Sequence, residues 1–271
     1  MNSNSKGFLK MAGLLSLTLI AFLICMPSIA ELNGEQGADL LIFLGRFHIV
    51  VLHLPIGWLT IVPIVDIIGR KYQLAAFSTL TRILLYCAAF STILAVVVGF
   101  TLATSDGYSG TTVTQHMWFG ITTSIVTILA AFFFTVKEVN KKAVFDYLYI
   151  SCLVTGLSTI TIAGHLGGNL VQGDDYLTEK MPLAMKSVFG ITEPKVAEIS
   201  YDTPIYQSFI EPILAQNCVS CHNANKIKGQ FQMDTLELLF KGGKSHKIAI
   251  KPSNANGSEL IRRIGLKRGD K

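Results

Sequence analysis

Residues 79–103 read TLTRILLYCAAFSTILAVVVGFTLA, a continuous apolar run whose one charge, Arg82, lies near its start. About 20 apolar residues in helical form cross the hydrocarbon core of a bilayer, and helix is the conformation in which a single run satisfies its own backbone there. Thr79 to Ala103 therefore reads as a membrane-spanning helix. Three runs of the same character surround it, Asp39 to Ile68, Val113 to Val136 and Phe145 to Gly164. Their connections are short, so successive helices are antiparallel neighbours. The expected fold is all-α, a four-helix transmembrane bundle over residues 31–170. Composition agrees: of 271 residues 50% are hydrophobic and 15% charged, and the mean hydropathy of +0.47 is too high for an ordinary soluble domain.

Ahead of the bundle, Lys6 and Lys10 precede an apolar run from Met11 to Met26 and the small residues Ser28 and Ala30. This is the pattern of a cleaved secretory signal over residues 1–30, and the length from Phe8 to Ala30 also allows a retained first membrane helix. Charge asymmetry sets the orientation of the rest. Arg70, Lys71 and Arg82 border the first connection and Lys137, Lys141 and Lys142 the third, whereas the middle one, Thr104 to Thr112, carries only Asp106. Basic connections stay in the cytoplasm, so both ends of the bundle face outward into the periplasm. The net charge of +5 is spread thinly and forms no stripe interleaved with aromatics, which argues against nucleic acid as a partner.

After the last span the chain becomes mixed. Residues 171–202, with Gly173, Pro182, Gly190 and Pro194, read as a linker that includes an amphipathic stretch, Met181 to Val188, suited to a membrane surface. From Thr203 onward Ile205, Phe209, Ile210, Ile213 and Leu214 recur at helical spacing and lead into Cys218-Val219-Ser220-Cys221-His222. Two thiols separated by two residues and followed by an imidazole are the attachment pattern of a c-type haem: the sulfurs take the two vinyl groups and the histidine the iron. A zinc site wants a second ligand pair, a thioredoxin-like pair wants a βαβ context, and a local disulfide is the remaining competitor. Residues 203–271 are thus expected to form a small periplasmic cytochrome c-like domain, with a second short helix at Ser258 to Ile264. Cys25, Cys87 and Cys152 lie in apolar stretches and read as small buried hydrophobes.

Four histidines, His48, His53, His116 and His165, fall in the membrane spans or at their ends, all on the outward side of the assigned topology. Ionisable groups are costly there and mark functional sites by default. His48 and His53 are five residues apart, rotated by roughly 140° on a helix, so they address different partners. A non-covalent haem b would need axial imidazoles from two facing helices, which this bundle could supply, and Arg46 is placed to meet a haem propionate. A metal ion, a quinone, or hydrogen-bonded polar packing are the other readings. Gly45, Gly57, Gly120, Gly164, Gly167 and Gly168 offer close approach for a backbone or a flat macrocycle. No internal repeat is evident.

The stretch from Ile213-Leu214 through CVSCH, Lys228-Gly229-Gln230-Phe231, Gly242-Gly243 and Ser258-Glu259-Leu260-Ile261 resembles the planctomycete-type cytochrome c domain. The segments GRFHIVVLHLPIG, HMWFG and GHLGGNLVQGDDYLT resemble a bacterial membrane domain, of unknown function, that is fused to such cytochromes. The first resemblance implies covalent haem c on Cys218 and Cys221 with His222 as proximal iron ligand. It also implies a sixth ligand from a Met-Pro-Pro motif lying beyond Lys271, as if the domain were truncated here. Of the residues present, Met233 stands at an apolar core position and His246, in a glycine-rich loop, is the substitute candidate for the iron. The function so implied is single-electron transfer at the periplasmic face of the bacterial inner membrane, with a redox protein or a quinone as partner. An electron carrier is expected ahead of an enzyme. The rivals are a quinol-oxidising membrane enzyme, and a passive anchor presenting the cytochrome to a larger periplasmic oxidoreductase.

Overall fold

The computed structural model describes residues 3–173, 176–191, 204–219, 221–224 and 226–267. Helix α1 spans Ser3–Cys25. The first span of the bundle is three collinear pieces, α2 (Asp39–Gly45), α3 (His48–Val51) and α4 (His53–Tyr72). Pro55 accounts for the break before α4, because it has no N–H to return to the Val51 carbonyl. The other spans are α5 (Ala75–Ser105), α6 (Thr111–Asn140) and α7 (Ala143–Gln172). All four begin at or before the apolar runs and extend past their ends, since polar residues at the water boundary continue a helix that hydropathy alone would stop.

The chain divides into two compact units. The first comprises residues 1–31, 37–105 and 114–166, and the second 32–36, 106–113 and 167–271. The connection between α5 and α6 is thus grouped with the C-terminal part of the chain.

Within the first unit, Leu59, Val62 and Val65 of α4 meet Leu84, Leu85 and Ala88 of α5, Ala130, Ala131 and Phe134 of α6, and Tyr149 and Leu153 of α7. These positions recur at three- and four-residue intervals, the face each helix turns to its neighbours. Small polar residues hold the helices together where lipid gives no hydrophobic drive. Thr123 donates to the Thr159 hydroxyl at 2.8 Å and Ser124 to that of Thr92 at 3.2 Å. At the basic end, Arg70 donates two bonds of 2.7 Å to Asp146 and one of 2.8 Å to Asp66, and Lys137 reaches Asp146 at 2.8 Å. The outer faces carry many exposed apolar side chains, among them Phe43, Ile64, Phe90 and Val154, as helices in contact with lipid do.

Among the described residues five helices are long and apolar enough to cross a membrane, the first over Ser5–Ser28. That helix does not stand apart: Leu23 and Met26 are buried with Ile121 and Ile128 of α6, and Leu19 and Ile20 pack beside them.

The second unit has little regular structure. It contains α8 (Tyr176–Glu179), α9 (Leu183–Val188), α10 (Glu211–Leu214) between two π-helical turns, strands β1 (His222–Asn223) and β2 (Lys226–Ile227), α11 (Leu236–Lys241) and α12 (Glu259–Ile264). The expected amphipathic stretch is α9, with Leu183, Met185 and Val188 exposed and Lys186 buried. Of the expected linker, residues 174–175 and 192–202 lie outside the described residues. The core of this unit is Leu214, Met233 and Leu239, against which Tyr206, Cys218, Val219, Phe231, Ile250 and Leu260 pack. Strands β1 and β2 form an antiparallel hairpin pairing His222 with Ile227 and Asn223 with Lys226.

That hairpin is secured from outside the contiguous C-terminal stretch. Ile227 donates its N–H to the Gly107 carbonyl at 2.7 Å, Ser109 Oγ donates to the Ala224 carbonyl at 3.0 Å, and Lys226 Nζ donates to the Tyr108 hydroxyl at 2.8 Å. Gly107 in turn donates to the Glu35 carbonyl at 3.2 Å.

Candidate functional site

The helical stretch over residues 205–219 delivers Cys218, a turn closed by Cys221 N–H on the Cys218 carbonyl at 3.1 Å delivers Cys221, and β1 begins at His222. Ser220, between the thiols, is outside the described residues. The turn brings both cysteines and His222 to the wall of one cavity of about 620 Å³. Phe231, Met233, Ala249, Leu260 and Ile264 line its apolar part, and Lys228, Lys244, Lys247 and Arg263 bring cations to it. Burial, and then the neighbouring Cys221, pushes the Cys218 thiol up.

His222 Nδ1 lies 3.1 Å from the Phe231 carbonyl oxygen. A carbonyl only accepts, so Nδ1 is the donor and Nε2 is the nitrogen that can serve as a metal ligand. The Phe231 ring lies 5.5 Å from the His222 ring, edge-on, and Met233 N–H closes onto the His222 carbonyl at 2.8 Å. The loop carrying Lys244 approaches closely behind: a Cβ on Gly243 would stand 2.6 Å from the Gly229 carbonyl oxygen and 2.8 Å from Phe231 Cβ. Two thiols, one Nε2 donor, an apolar slot and a basic rim are what a covalently attached haem requires of its protein, and the residues present fit it.

Met233 is 3% exposed and belongs both to the core and to the cavity wall. His246 is exposed, with left-handed backbone at φ 55°, while its neighbours Lys244 and Ser245 line the cavity. Glu259, at the start of α12, accepts two bonds of 2.7 Å from Arg262 and one of 2.8 Å from Arg263. These three hydrogen bonds hold its carboxyl down to about 2.

In the membrane unit the structure brings together two of the four histidines. His48 and His116 lie with ring centroids 6.0 Å apart and planes at 87°. His48 Nδ1 is 2.9 Å from the Ala95 carbonyl oxygen and His116 Nδ1 is 2.8 Å from that of Ala163. His53 and His165 are exposed on the outside of their helices, as is Arg46. Close approach is supplied by a glycine the sequence reading passed over. A Cβ on Gly99 would sit 2.7 Å from His48 Nδ1, so the ring rests directly on the α5 backbone. Gly45 does pack tightly, against Leu102, whereas a Cβ on Gly57, Gly164 or Gly168 would meet open space. The carbonyls of Ala95 and Ala163 left no mark in the sequence, because any residue supplies a carbonyl.

Residues 218–270 match the family model described as Planctomycete cytochrome C, and residues 46–179 match the one described as Predicted membrane protein (DUF2231). No curated protein and no solved structure matches the chain. With the two thiols and the histidine of CVSCH on one cavity wall and the apolar helices before them, the chain is similar to a DUF2231-type membrane segment over residues 46–179 and to a planctomycete-type cytochrome c segment over residues 218–270.

Proposed function

We propose that this chain is a membrane-anchored c-type cytochrome that passes single electrons at the periplasmic face of the bacterial inner membrane, with a redox protein or a quinone as partner. The observation that carries the reading is His222, its Nδ1 committed to the Phe231 carbonyl at 3.1 Å, in one cavity wall with Cys218 and Cys221. A covalently bound haem supplies a one-electron iron couple there. The chain's own residues do the rest. Cys218 and Cys221 anchor the group, His222 offers Nε2 to its iron, and Phe231, Leu260 and Ile264 keep water from it. Lys244, Lys247 and Arg263 suit its carboxylates.

Placement in the periplasm is supported by the basic connections at Arg70–Lys71 and Lys137–Lys142, which belong in the cytoplasm. Packing of Leu23 and Met26 against Ile121 and Ile128 favours α1 as a retained membrane helix over a cleaved leader, and N-terminal sequencing of the purified protein separates the two.

Replacing Cys218 and Cys221 with Ala tests the assignment. Haem that survives denaturing electrophoresis should disappear from the band of the full chain. Haem staining that persisted at that mass would refute it. A quinol-oxidising enzyme would reduce its own haem c with quinol alone, and a passive anchor would not.

A further inference from the structure

We infer that the membrane bundle binds a second, non-covalent haem, a b-type haem whose iron is ligated by Nε2 of His48 and Nε2 of His116. Three observations converge on this pair, and none involves the cytochrome segment.

The first is ring orientation. Both rings give Nδ1 to a backbone carbonyl, His48 to Ala95 and His116 to Ala163, so in both Nε2 is the nitrogen that can serve as a metal ligand. A ligating histidine is oriented in this way by its second nitrogen.

The second is spacing. Metal–imidazole bonds of about 2.0–2.1 Å, added to the distance from nitrogen to ring centre, put two trans imidazoles roughly 6.3 Å apart between centroids. The observed separation is 6.0 Å. Two protein ligands complete an iron site only where a macrocycle brings the remaining nitrogens. Among the described residues no three His, Cys, Asp or Glu side chains are grouped to hold a bare ion, so the pair suits a tetrapyrrole better than a free metal.

The third is a duplication that the sequence reading missed. His48 and Ala95 are separated by 47 residues, and so are His116 and Ala163. Gln73 and Lys141, equally far beyond their histidines, both take left-handed backbone, at φ 55° and 56°. The turns that follow repeat as well, with Phe77 N–H on the Leu74 carbonyl at 3.0 Å and Phe145 N–H on that of Lys142 at 3.1 Å. The bundle is therefore two copies of one helical hairpin, each contributing one histidine to the same place. A two-fold arrangement of identical donors matches the two equivalent axial faces of one iron. His53 and His165 have no counterpart at the matching position of the other copy, and the structure leaves both exposed.

The test uses the full chain, expressed with haem maturation machinery and purified in detergent. Acid acetone releases a b-type haem and leaves a c-type haem on the protein, so the two are counted separately by pyridine haemochrome spectra. The expected result is one extractable haem per chain, lost to background in His48→Phe and in His116→Phe and retained in His53→Phe and His165→Phe. Ferric wild-type protein reports without any variant: imidazole planes at 87° should give a strongly anisotropic low-spin electron paramagnetic resonance signal from the extractable haem. Absence of extractable haem from wild-type protein overturns the proposal whatever the c-type content. So does extractable haem that survives both substitutions, or one that is high-spin in the wild type. Loss of the covalent haem alone would refute the cytochrome reading and leave this one standing.

Discussion

His48, His116 and His222 each set Nδ1 against a backbone carbonyl, at 2.9, 2.8 and 3.1 Å, and each is thereby oriented with Nε2 as the nitrogen that can serve as a ligand. Few single side-chain changes disturb such a bond, because the acceptor is main chain; the glycines that let the backbones approach are the more vulnerable positions. Gly243→Ala would bring a methyl group to 2.6 Å from the Gly229 carbonyl oxygen and 2.8 Å from Phe231 Cβ. The loop must shift, and overpacking of this kind costs about 1–3 kcal/mol. Thermal unfolding followed at the haem c absorbance should show the loss, with the covalent attachment itself intact. Glu259 gives a pH signature. Hydrogen bonds from Arg262, then Arg263, hold its carboxyl at about 2, below the ordinary 4.5. A depressed carboxylate stabilises fully above its unfolded value, and that contribution is lost as pH falls from 4.5 through about 2. Acid titration of the folded protein should show this component in the wild type, and Glu259→Gln should lack it.

At the scale of elements, the two helical hairpins share more than a length. Each turns through a left-handed residue that is not glycine, Gln73 in one and Lys141 in the other. That conformation disfavours a Cβ, and glycine at such a helix end removes the penalty while costing some chain entropy in the unfolded state. Lys141→Gly should therefore raise the unfolding temperature in detergent, by a free-energy gain of at most about 1 kcal/mol. The spans themselves were legible in the sequence because membrane burial selects on composition over long windows, and a single window sufficed for each. The duplication was not. Lipid accepts almost any apolar side chain, so most positions of the two hairpins differ, and the clearest correspondences left are in backbone conformation and in the two histidine contacts. The small elements of the C-terminal unit escaped for the opposite reason: β1 and β2 hold two residues each, too few for any periodicity to register.

For the whole molecule, the asymmetry of basic residues between connections predicts the orientation, and reporter fusions check it. A reporter placed after Lys142 should read cytoplasm and one after Tyr176 periplasm; the reverse would also put the cysteines of CVSCH on the side where c-type haem is not attached. The likeness of the C-terminal segment to the planctomycete-type cytochrome c was readable from the five consecutive residues CVSCH and the short motifs after them, since such a pattern has fixed spacing. The pairing of His48 with His116 was not, because the sequence does not give the helix rotations, set by packing, that decide which histidines face each other. The C-terminal unit, finally, is assembled from three stretches of chain, 32–36, 106–113 and 167–271, and the second is covalently continuous with α5 and α6 at both its ends. Its grip on the hairpin beside His222, through Gly107, Tyr108 and Ser109, makes the polypeptide between Pro182 and Pro204 dispensable as a leash. A specific protease site engineered there and cut in isolated membranes should give two fragments on a denaturing gel, and before denaturation the haem-bearing fragment should sediment with the membranes instead of appearing in the wash.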